Sequence, residues 1–265
     1  MDEAPKTYRQ LADLIKKQIE NGTTQPGRIL KAEDLAREHG LSRQTAQRAL
    51  SAVSGEGLVR TIRGTGAVVQ SRRPRRRISR GQAVTRNPKY GYVFPATQDR
   101  MEKWQAHGQP YRSYEPAPAS VAEAFDVDTG DSVLRRRRVT SPAGEPPFQI
   151  ADTWISPPAV ADAPQVAEES TGLGGYIDRL EEAGHGPLSW RETTRVRMPS
   201  VEEAKLLEIT TSLPVLEVVM VAHSARDGRP VDVTIKVIPS DRVELVTDLV
   251  RGEGAEWPVQ PVSQT

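Results

Sequence analysis

The chain has 265 residues, 37% of them hydrophobic and 27% charged, with a formal net charge of +1 and no cysteine. This composition is typical of a globular protein of about two domains, and it excludes disulfides and thiolate metal sites. The four histidines lie far apart in the sequence, so we expect neither a metal nor another cofactor. Because no segment approaches the roughly 18 apolar residues of a membrane span and no signal-peptide pattern opens the chain, we expect a cytoplasmic protein without a membrane partner.

Charge is distributed unevenly along the chain. Residues 1–80 carry 17 basic and 8 acidic side chains, a net +9, whereas residues 81–265 carry 19 and 27, a net −8. This distribution is expected where only one part of a protein approaches a polyanion. We therefore predict that the N-terminal part binds nucleic acid.

The first predicted helix covers about residues 7–20 and ends at Asn21-Gly22. Its apolar positions recur at helical spacing: Tyr8, Leu11, Ala12, Ile15 and Ile19. After a Pro26-Gly27 turn, Ile29 and Leu30 lead into a shorter helix near residues 32–38, which ends at His39-Gly40. The short connection around Gly40 is typical of a helix-turn-helix.

The stretch GLSRQTAQRAL, residues 40–50, predicts a third helix with Ser42 as its N-cap. One side of this helix carries Ala46, Ala49, Leu50 and Val53, and the other carries Arg43, Gln44, Gln47 and Arg48. Arginine and glutamine can each meet a base edge with two hydrogen bonds, so the polar side could enter a major groove. A solvated helix face is the alternative, and the segment alone does not decide between them.

Residues 58–69, LVRTIRGTGAVV, predict two short strands around Arg63-Gly64-Thr65-Gly66. A GxG sequence alone is typical of any tight turn, and no helix follows that would indicate a phosphate-binding loop. After three helices, however, the hairpin indicates the wing of a winged helix, with Arg60 and Arg63 available to phosphates.

Four segments in order resemble the DNA-binding domain of the GntR family of bacterial repressors over about residues 6–70: YRQLADLIKKQIENGTTQPGRIL, DLAREHGLSRQTAQRAL, EGLV and RGTGAVV. The resemblance implies that the third helix enters the major groove and that the wing tip reaches the minor groove. The implied DNA-binding residues are Ser42, Arg43, Gln44, Thr45, Gln47 and Arg48 in the helix, and Arg63, Gly64, Thr65 and Gly66 in the wing. Family members commonly have a Pro-Ser-Glu stretch before the second helix, often followed by an arginine or another polar residue that touches DNA. This chain has Leu30-Lys31-Ala32-Glu33, so Lys31 is the substitute candidate for a phosphate contact.

The segment SRRPRRRISR, residues 71–80, contains six arginines and one proline and is poor core material. It indicates a linker that is either a solvated hinge or an arm whose arginines neutralise phosphates beside the wing. We therefore predict a DNA-binding domain over residues 1–70, a basic linker over 71–88, a second domain over 89–250 and a C-terminal tail over 251–265.

The second domain shows strands in series with helices between them, which predicts an antiparallel α+β fold. Predicted strands cover residues 133–140, 148–155, 188–198, 214–225 and 230–238, with two hairpin turns, at 141–147 and 226–229. Helices are predicted over residues 172–184 and after Ser200, where Ser200-Val201-Glu202-Glu203 forms a capping box.

Several pieces of this half, among them VAEAFDVDTGDSVLRRRRV and GEPPFQIADTWI, resemble the UTRA effector domain of the HutC subfamily, which is related in fold to chorismate lyase. The resemblance implies that an arginine pair, Arg136 and Arg138, binds an acidic or phosphorylated effector. Further implied contacts are Asp152, Thr153, Trp154, Asp232 and Thr234. Arg136 and Arg138 share one strand face and Arg135 and Arg137 the other. Arginines on an exposed face with acidic cross-strand neighbours are the alternative, and Asp152 fits an anionic ligand poorly.

The combined pattern predicts a repressor, not an enzyme, that binds a double-stranded DNA operator with inverted-repeat symmetry as a homodimer and responds to a small-molecule effector. Two alternatives stay open. One is a lyase-like enzyme with a DNA-binding extension, although no motif typical of catalysis is found. The other is a repressor whose second domain binds no effector.

Overall fold

The computed structural model describes residues 4–62, 64–70, 75–81, 84–87, 91–94, 102–252 and 255. Three helices and three short strands lie within its first 70 residues. The helices are α1 (Tyr8–Glu20), α2 (Ala32–His39) and α3 (Arg43–Gly55), and the strands are β1 (Ile29–Leu30), β2 (Val59–Ile62) and β3 (Gly66–Val69). The strands pair antiparallel in the order β1-β3-β2. The predicted winged helix is therefore confirmed.

Local signals account for the boundaries of these helices. Thr7 and Gln10 form a capping box at the start of α1. Gly40 ends α2 in the left-handed conformation, with φ 65°, and the Ser42 side chain caps α3. The predicted apolar side of α3 is buried at all four positions, and it packs on the buried side of α1: Ala46, Ala49, Leu50, Val53, Leu11, Ala12 and Ile15.

The strand β1 was not predicted, because two residues form no pattern of their own. Ile29 and Leu30 pair with Val68 and Ala67 of the wing. Gly66 lies under this strand with φ 129°, and a Cβ atom added to it would stand 2.8 Å from the Leu30 carbonyl oxygen. The wing therefore needs glycine at position 66 for close packing as well as for its backbone angle.

In the second half, seven described strands form one antiparallel sheet in the order β11-β12-β13-β10-β9-β7, with β8 also paired to β9. Their bounds are β7 Trp104–Ala106, β8 Tyr111–Pro116, β9 Ser132–Pro142, β10 Gln149–Ile155, β11 Ser189–Arg197, β12 Val215–His223 and β13 Pro230–Pro239. The helices are α4 Ala119–Phe125, α5 Pro157–Asp162, α6 Gly175–Leu180 and α7 Val201–Leu206. Both predicted hairpins, β9-β10 and β12-β13, are confirmed, as is the capping box at Ser200.

The helix predicted over residues 172–184 is shorter than expected. The α-helix begins only at Gly175, because Gly172, Gly174 and Gly175 all have positive φ values, of 75°, 86° and 79°. It ends at Leu180 and passes into a turn of π-helix, Glu181–His185. The glycines at the N-terminal side shape a loop and do not extend the helix.

The two faces of the sheet are covered differently. The outer face, which carries Trp154 and Val233, packs on α4 and α7. The inner face carries Leu134 and Ile155 at one end, where α5 and α6 cover it. At its other end, Ile238 packs against a further strand pair, β4 (Arg76–Ser79) and β14 (Val243–Val246). A polar middle section lies between these two covers.

Strand β4 lies inside the stretch predicted to be a linker. It pairs in parallel with β14, and its basic side chains are bound by acidic residues of the second half. Arg76 pairs with Glu102 and Glu145 and packs over the Trp104 and Phe148 rings; further pairs are Arg77 with Glu244 and Arg80 with Glu192. Residues 75–80 are therefore not a solvated hinge, whereas residues 71–74 of the predicted linker lie outside the described residues. A phosphate contact by the linker arginines stays a prediction.

A short hairpin of β5 (Thr85–Asn87) and β6 (Gly91–Val93) follows β4 and lies against α6. Arg86 pairs with Asp178, and the Tyr92 hydroxyl donates to Glu181. The Phe94 ring meets Trp190 at 5.5 Å in an edge-to-face contact. Residues 76–94, where described, are thus held along the sheet that they precede.

The two halves of the chain touch beside the wing. Arg60 of β2, predicted to be available to phosphates, lies 3.6 Å from the Glu208 carboxylate of the second half, and Gly57 lies against Leu213. Arg60 therefore faces the neighbouring unit. Within the described ranges, no helix combines the length and apolar character needed to cross a membrane.

Candidate DNA interface and effector site

The polar side of α3 forms an exposed ridge made of Arg43, Gln44, Gln47 and Arg48. These positions follow helical spacing, so the four side chains lie side by side over the first two turns. The side chains of Gln44, Gln47 and Arg48 make no hydrogen bond or ion pair with any residue that the structure describes. These three side chains therefore present unengaged amide and guanidinium groups to a partner.

Ser42 and Thr45 have a different role in the structure. The Ser42 hydroxyl accepts from the Thr45 backbone N–H at 3.1 Å, and the two hydroxyl oxygens lie 2.8 Å apart. Both side chains are therefore engaged in the N-cap. A capped helix start still presents positive potential, which favours a nearby phosphate.

The start of α2 adjoins both the ridge and the wing. A carboxylate oxygen of Glu33 lies 3.0 Å from Nη2 of Arg43. Lys31 is exposed, and its Cγ atom lies 3.4 Å from a Cβ position built on Gly66. Lys31 thus stands beside the wing, and its phosphate contact stays a prediction. The Glu33 contact was not predicted, because it depends on the packing angle between two helices.

The tip of the wing is a tight turn. Gly64 and Thr65 are exposed, and the Thr65 N–H donates to the Ile62 carbonyl at 3.1 Å. Gly64 has φ 80°, which glycine adopts without strain. Arg63, the predicted wing cation, lies outside the described residues.

In the second half, the strand register sorts the predicted effector residues between the two faces. Arg136 lies opposite Thr153, and Thr153 lies opposite Thr234, so these three share the inner face. Arg138 and Asp232 follow at two-residue spacing on the same face. Arg136, Thr153, Asp232 and Thr234 are buried, whereas Arg138 is exposed.

Asp152 and Trp154 lie on the outer face, away from this group. The Asp152 carboxylate accepts hydrogen bonds from both Arg135, at 3.1 Å, and Arg137, at 2.7 Å. Trp154 is buried under α4, with the Arg135 guanidinium over its ring. The structure therefore does not bring these two residues together with Arg136, and the objection that Asp152 would repel an anionic ligand no longer applies.

Arg136 binds backbone in this structure. Its guanidinium donates to the carbonyl oxygens of Val166, Glu168 and Glu169 at 2.7, 2.6 and 3.3 Å. Burial lowers the pKa of Arg136, and the neighbouring cations Arg138 and Arg112 add to this effect. Arg136 thus holds the loop after α5 over the sheet. The Arg138 guanidinium, by contrast, makes no hydrogen bond or ion pair with the described residues.

A buried hydroxyl cluster occupies the middle of the inner face. Thr153 and Thr234 lie 2.9 Å apart, Tyr176 approaches Thr234 at 3.5 Å, and Thr234 donates to Asp232 at 3.1 Å. The second carboxylate oxygen of Asp232 has no hydrogen-bond partner among the described residues. Burial raises the pKa of Asp232 to about 7, against a smaller lowering by the Thr234 hydrogen bond. Asp232 is therefore partly protonated near neutral pH.

Lys236 is a cation on this face that sequence reasoning missed. It lies opposite Ala151, which lies in turn opposite Arg138, so two cations flank a small side chain. The Lys236 ammonium lies 5.2 Å from the centre of the Phe94 ring, and burial lowers its pKa. Only the alternation of PVDVTIKVI places Lys236 on the face of Asp232 and Thr234.

A serine, a histidine and an aspartate also come together, at the β12-β13 connection. The His185 ring lies 3.0 Å from the Ser224 hydroxyl through Nδ1 and 3.3 Å from Asp162 through Nε2. Ser224 and His185 are each 2% exposed, and the Ser224 hydroxyl accepts from the Arg226 N–H. These contacts close a turn and leave the serine without access to a substrate.

Comparisons with known proteins agree with this geometry. Residues 7–69 match the family of bacterial regulatory proteins named gntR, and residues 111–244 match the UTRA domain. An uncharacterised HTH-type transcriptional regulator of Streptomyces coelicolor is 30% identical over 88% of this chain and 88% of its own length. The mannosyl-D-glycerate transport/metabolism system repressor MngR of Escherichia coli is 27% identical over 84% of this chain and 87% of its own length.

Solved structures give the same result for the fold. The crystal structure of a GntR-family transcriptional regulator is similar over 92% of this chain and 98% of its own length, with a TM-score of 0.54 and 25% identity. Both halves of the chain, and their order, are thus those of known regulators. The chain therefore belongs to the GntR family of bacterial regulatory proteins, as a DNA-binding transcriptional regulator with a UTRA domain after its winged helix.

Proposed function

We propose that the protein is a repressor of the HutC type that binds an inverted-repeat operator as a homodimer and is released by a small anionic effector. The observation that carries the DNA-binding part is the exposed ridge of α3, whose glutamines and Arg48 are unengaged by the described residues at a capped helix start. Such side chains suit guanine and adenine edges in a major groove. MngR, a relative over most of the chain, is itself named a repressor.

Dimeric binding follows from the size of the module. A single winged helix buries too little surface for tight specific binding, so two copies are needed on one site. Two-fold symmetry of the dimer then requires inverted half-sites about one helical turn, or a multiple of it, apart.

The effector is inferred from the polar middle of the inner face. Arg138 and Lys236 supply two cations over Ala151, and Thr153, Thr234 and Tyr176 supply hydroxyls beside them. This set favours a small ligand with a carboxylate or phosphate and several hydroxyl groups. MngR acts in a system for mannosyl-D-glycerate, which has this chemistry.

The same face offers a route from ligand to DNA-binding unit. Arg80, directly after β4, pairs with Glu192, which lies opposite Met220 in the row that continues to Thr234. The Glu192 carboxylate raises the pKa of the Lys236 ammonium and the Arg80 guanidinium lowers it, so both charges act on Lys236. An anion bound at Lys236 would therefore also act on this pair. A ligand that binds one arrangement of the linker strand better than the other shifts the population of DNA-competent dimers.

Two measurements test the proposal. Selection from random double-stranded DNA with the full chain should yield an inverted repeat, and recovery of unrelated sequences would contradict it. A thermal-shift screen of sugar acids and sugar phosphates should yield a ligand that also weakens operator binding. A ligand that is chemically converted would favour the lyase-like enzyme, and absence of any shift would favour a repressor without an effector.

A further inference from the structure

We propose that Glu33 is a positioning residue for DNA recognition: it holds the Arg43 guanidinium so that this arginine selects guanine at one position of each half-site. The inference rests on the proposed function, because it needs a specific DNA site. It concerns a residue that the comparisons do not assign to binding. The ion pair between α2 and α3, 3.0 Å long, is its starting observation.

The geometry makes Glu33 an orienting partner. Arg43 is the first residue of α3, and its side chain is 74% exposed, so only its contacts limit the directions it can take. Glu33 lies in the first turn of α2, and its carboxylate approaches Nη2 of the Arg43 guanidinium. Because Nη2 carries two N–H groups, one of them stays available, together with Nη1 or Nε, for a two-bond contact to a base. An arginine side chain that is already restrained by an ion pair loses less rotamer entropy than a free one when its guanidinium binds the O6 and N7 atoms of guanine.

The charge of Glu33 argues against a purely stabilising role. Both partners are largely exposed, and an exposed pair contributes little to folding. A carboxylate beside a surface that approaches phosphates also weakens binding to every DNA sequence. Glu33 is therefore expected to lower general affinity while raising base preference, a combination that a structural residue would not produce.

Asp34 supplies a matched control. It is the next residue on α2, it is acidic and exposed, and its carboxylate pairs at 3.5 Å with Arg37 of the same helix. Asp34→Asn thus removes the same charge from the same helix without touching the contact to Arg43. A general electrostatic effect would appear in both variants, whereas the positioning effect appears only in Glu33→Gln.

The experiment uses the full chain and the site that it selects from random DNA. Affinities of the wild type, Glu33→Gln, Asp34→Asn, Arg43→Ala and the double variant Glu33→Gln with Arg43→Ala are measured by fluorescence anisotropy. The probes are the selected site, a set with each base pair replaced singly, and random DNA. Circular dichroism melting shows that each variant is folded.

We expect Glu33→Gln and Arg43→Ala to lose preference at the same guanine by about fivefold or more, the lower end of what a bidentate contact supplies. Glu33→Gln should also bind random DNA more tightly than the wild type. Asp34→Asn should keep the base preference, and the double variant should show the preference of Arg43→Ala alone.

Three results would overturn the inference. Glu33→Gln with unchanged preference at the Arg43 guanine would show that the arginine needs no partner. A preference that changes further in the double variant would show that Glu33 contacts a base itself, as an acceptor for cytosine N4. If the wild type selects no sequence at all, the proposed function fails and this inference fails with it.

Discussion

Replacement of Asp232 by asparagine should remove a pH dependence of the folding stability that originates in the polar middle section of the inner sheet face. Asp232 is fully buried, and only one of its carboxylate oxygens has a described hydrogen-bond partner, the Thr234 hydroxyl. Asparagine has the same shape and cannot ionise. The substitution therefore resembles permanent protonation of the acid.

The magnitude follows from the two pKa values. Burial raises the pKa of Asp232 from 3.8 to about 7, so the folded chain binds this proton more tightly than the unfolded chain. The stabilising contribution is fully present below the unfolded value and is lost as the pH rises through the folded value. The full effect is about 4 kcal/mol, and more than half of it falls between pH 5 and pH 8.

Urea unfolding of the wild type and of Asp232→Asn at a series of pH values tests this prediction. The difference in unfolding free energy between the two proteins should move in favour of the variant by about 2–3 kcal/mol from pH 5 to pH 8. Asp248→Asn, which removes an exposed carboxylate, is the control substitution. Parallel curves for the wild type and Asp232→Asn would refute the assignment of a buried, protonated carboxyl.

Three further substitutions test other parts of the account. Gly66→Ala should cost the DNA-binding unit about 1–3 kcal/mol because its Cβ meets the β1 backbone, whereas Gly64→Ala, with open space around it, should cost less; equal losses in thermal unfolding would contradict the close packing. Arg76→Ala should destabilise the second half without changing the salt dependence of DNA affinity. If the slope of log affinity against log salt concentration instead becomes shallower by about 0.9, Arg76 contacts a phosphate. Arg138→Ala should lower the affinity for the effector found by screening about tenfold or more in calorimetry, whereas Arg135→Ala on the outer face should leave this affinity unchanged. A loss of affinity in Arg135→Ala alone would place the ligand on the other side of the sheet.

Local signals explain what could be predicted of the fold. The start of α3 follows from Ser42, and its buried side from the spacing of its apolar residues, because caps and periodicity act within a few positions. Strand alternation likewise places Arg136 and Arg138 on one face. These inferences needed no knowledge of distant residues.

Long-range pairing explains what could not be predicted. Asp152 and Thr153 are neighbours in sequence, yet they point to opposite faces, and which face keeps a polar middle section depends on where α5 and α6 pack. The arginine-rich composition of the linker is typical of a solvated segment. However, its strand β4 pairs with β14, which follows more than 160 residues later in the chain. The contact between Glu33 and Arg43 similarly depends on the angle between two helices.

The central claim is that the exposed ridge of α3 enters a major groove at two inverted half-sites. Methylation interference on the selected DNA tests it most directly, because dimethyl sulfate modifies guanine N7 in that groove. We expect interference at guanines in two symmetric half-sites centred about one helical turn or a multiple of it apart, and loss of one guanine in each half-site from the pattern of Arg43→Ala. Binding that tolerates methylation at every guanine N7 of the site would contradict the claim.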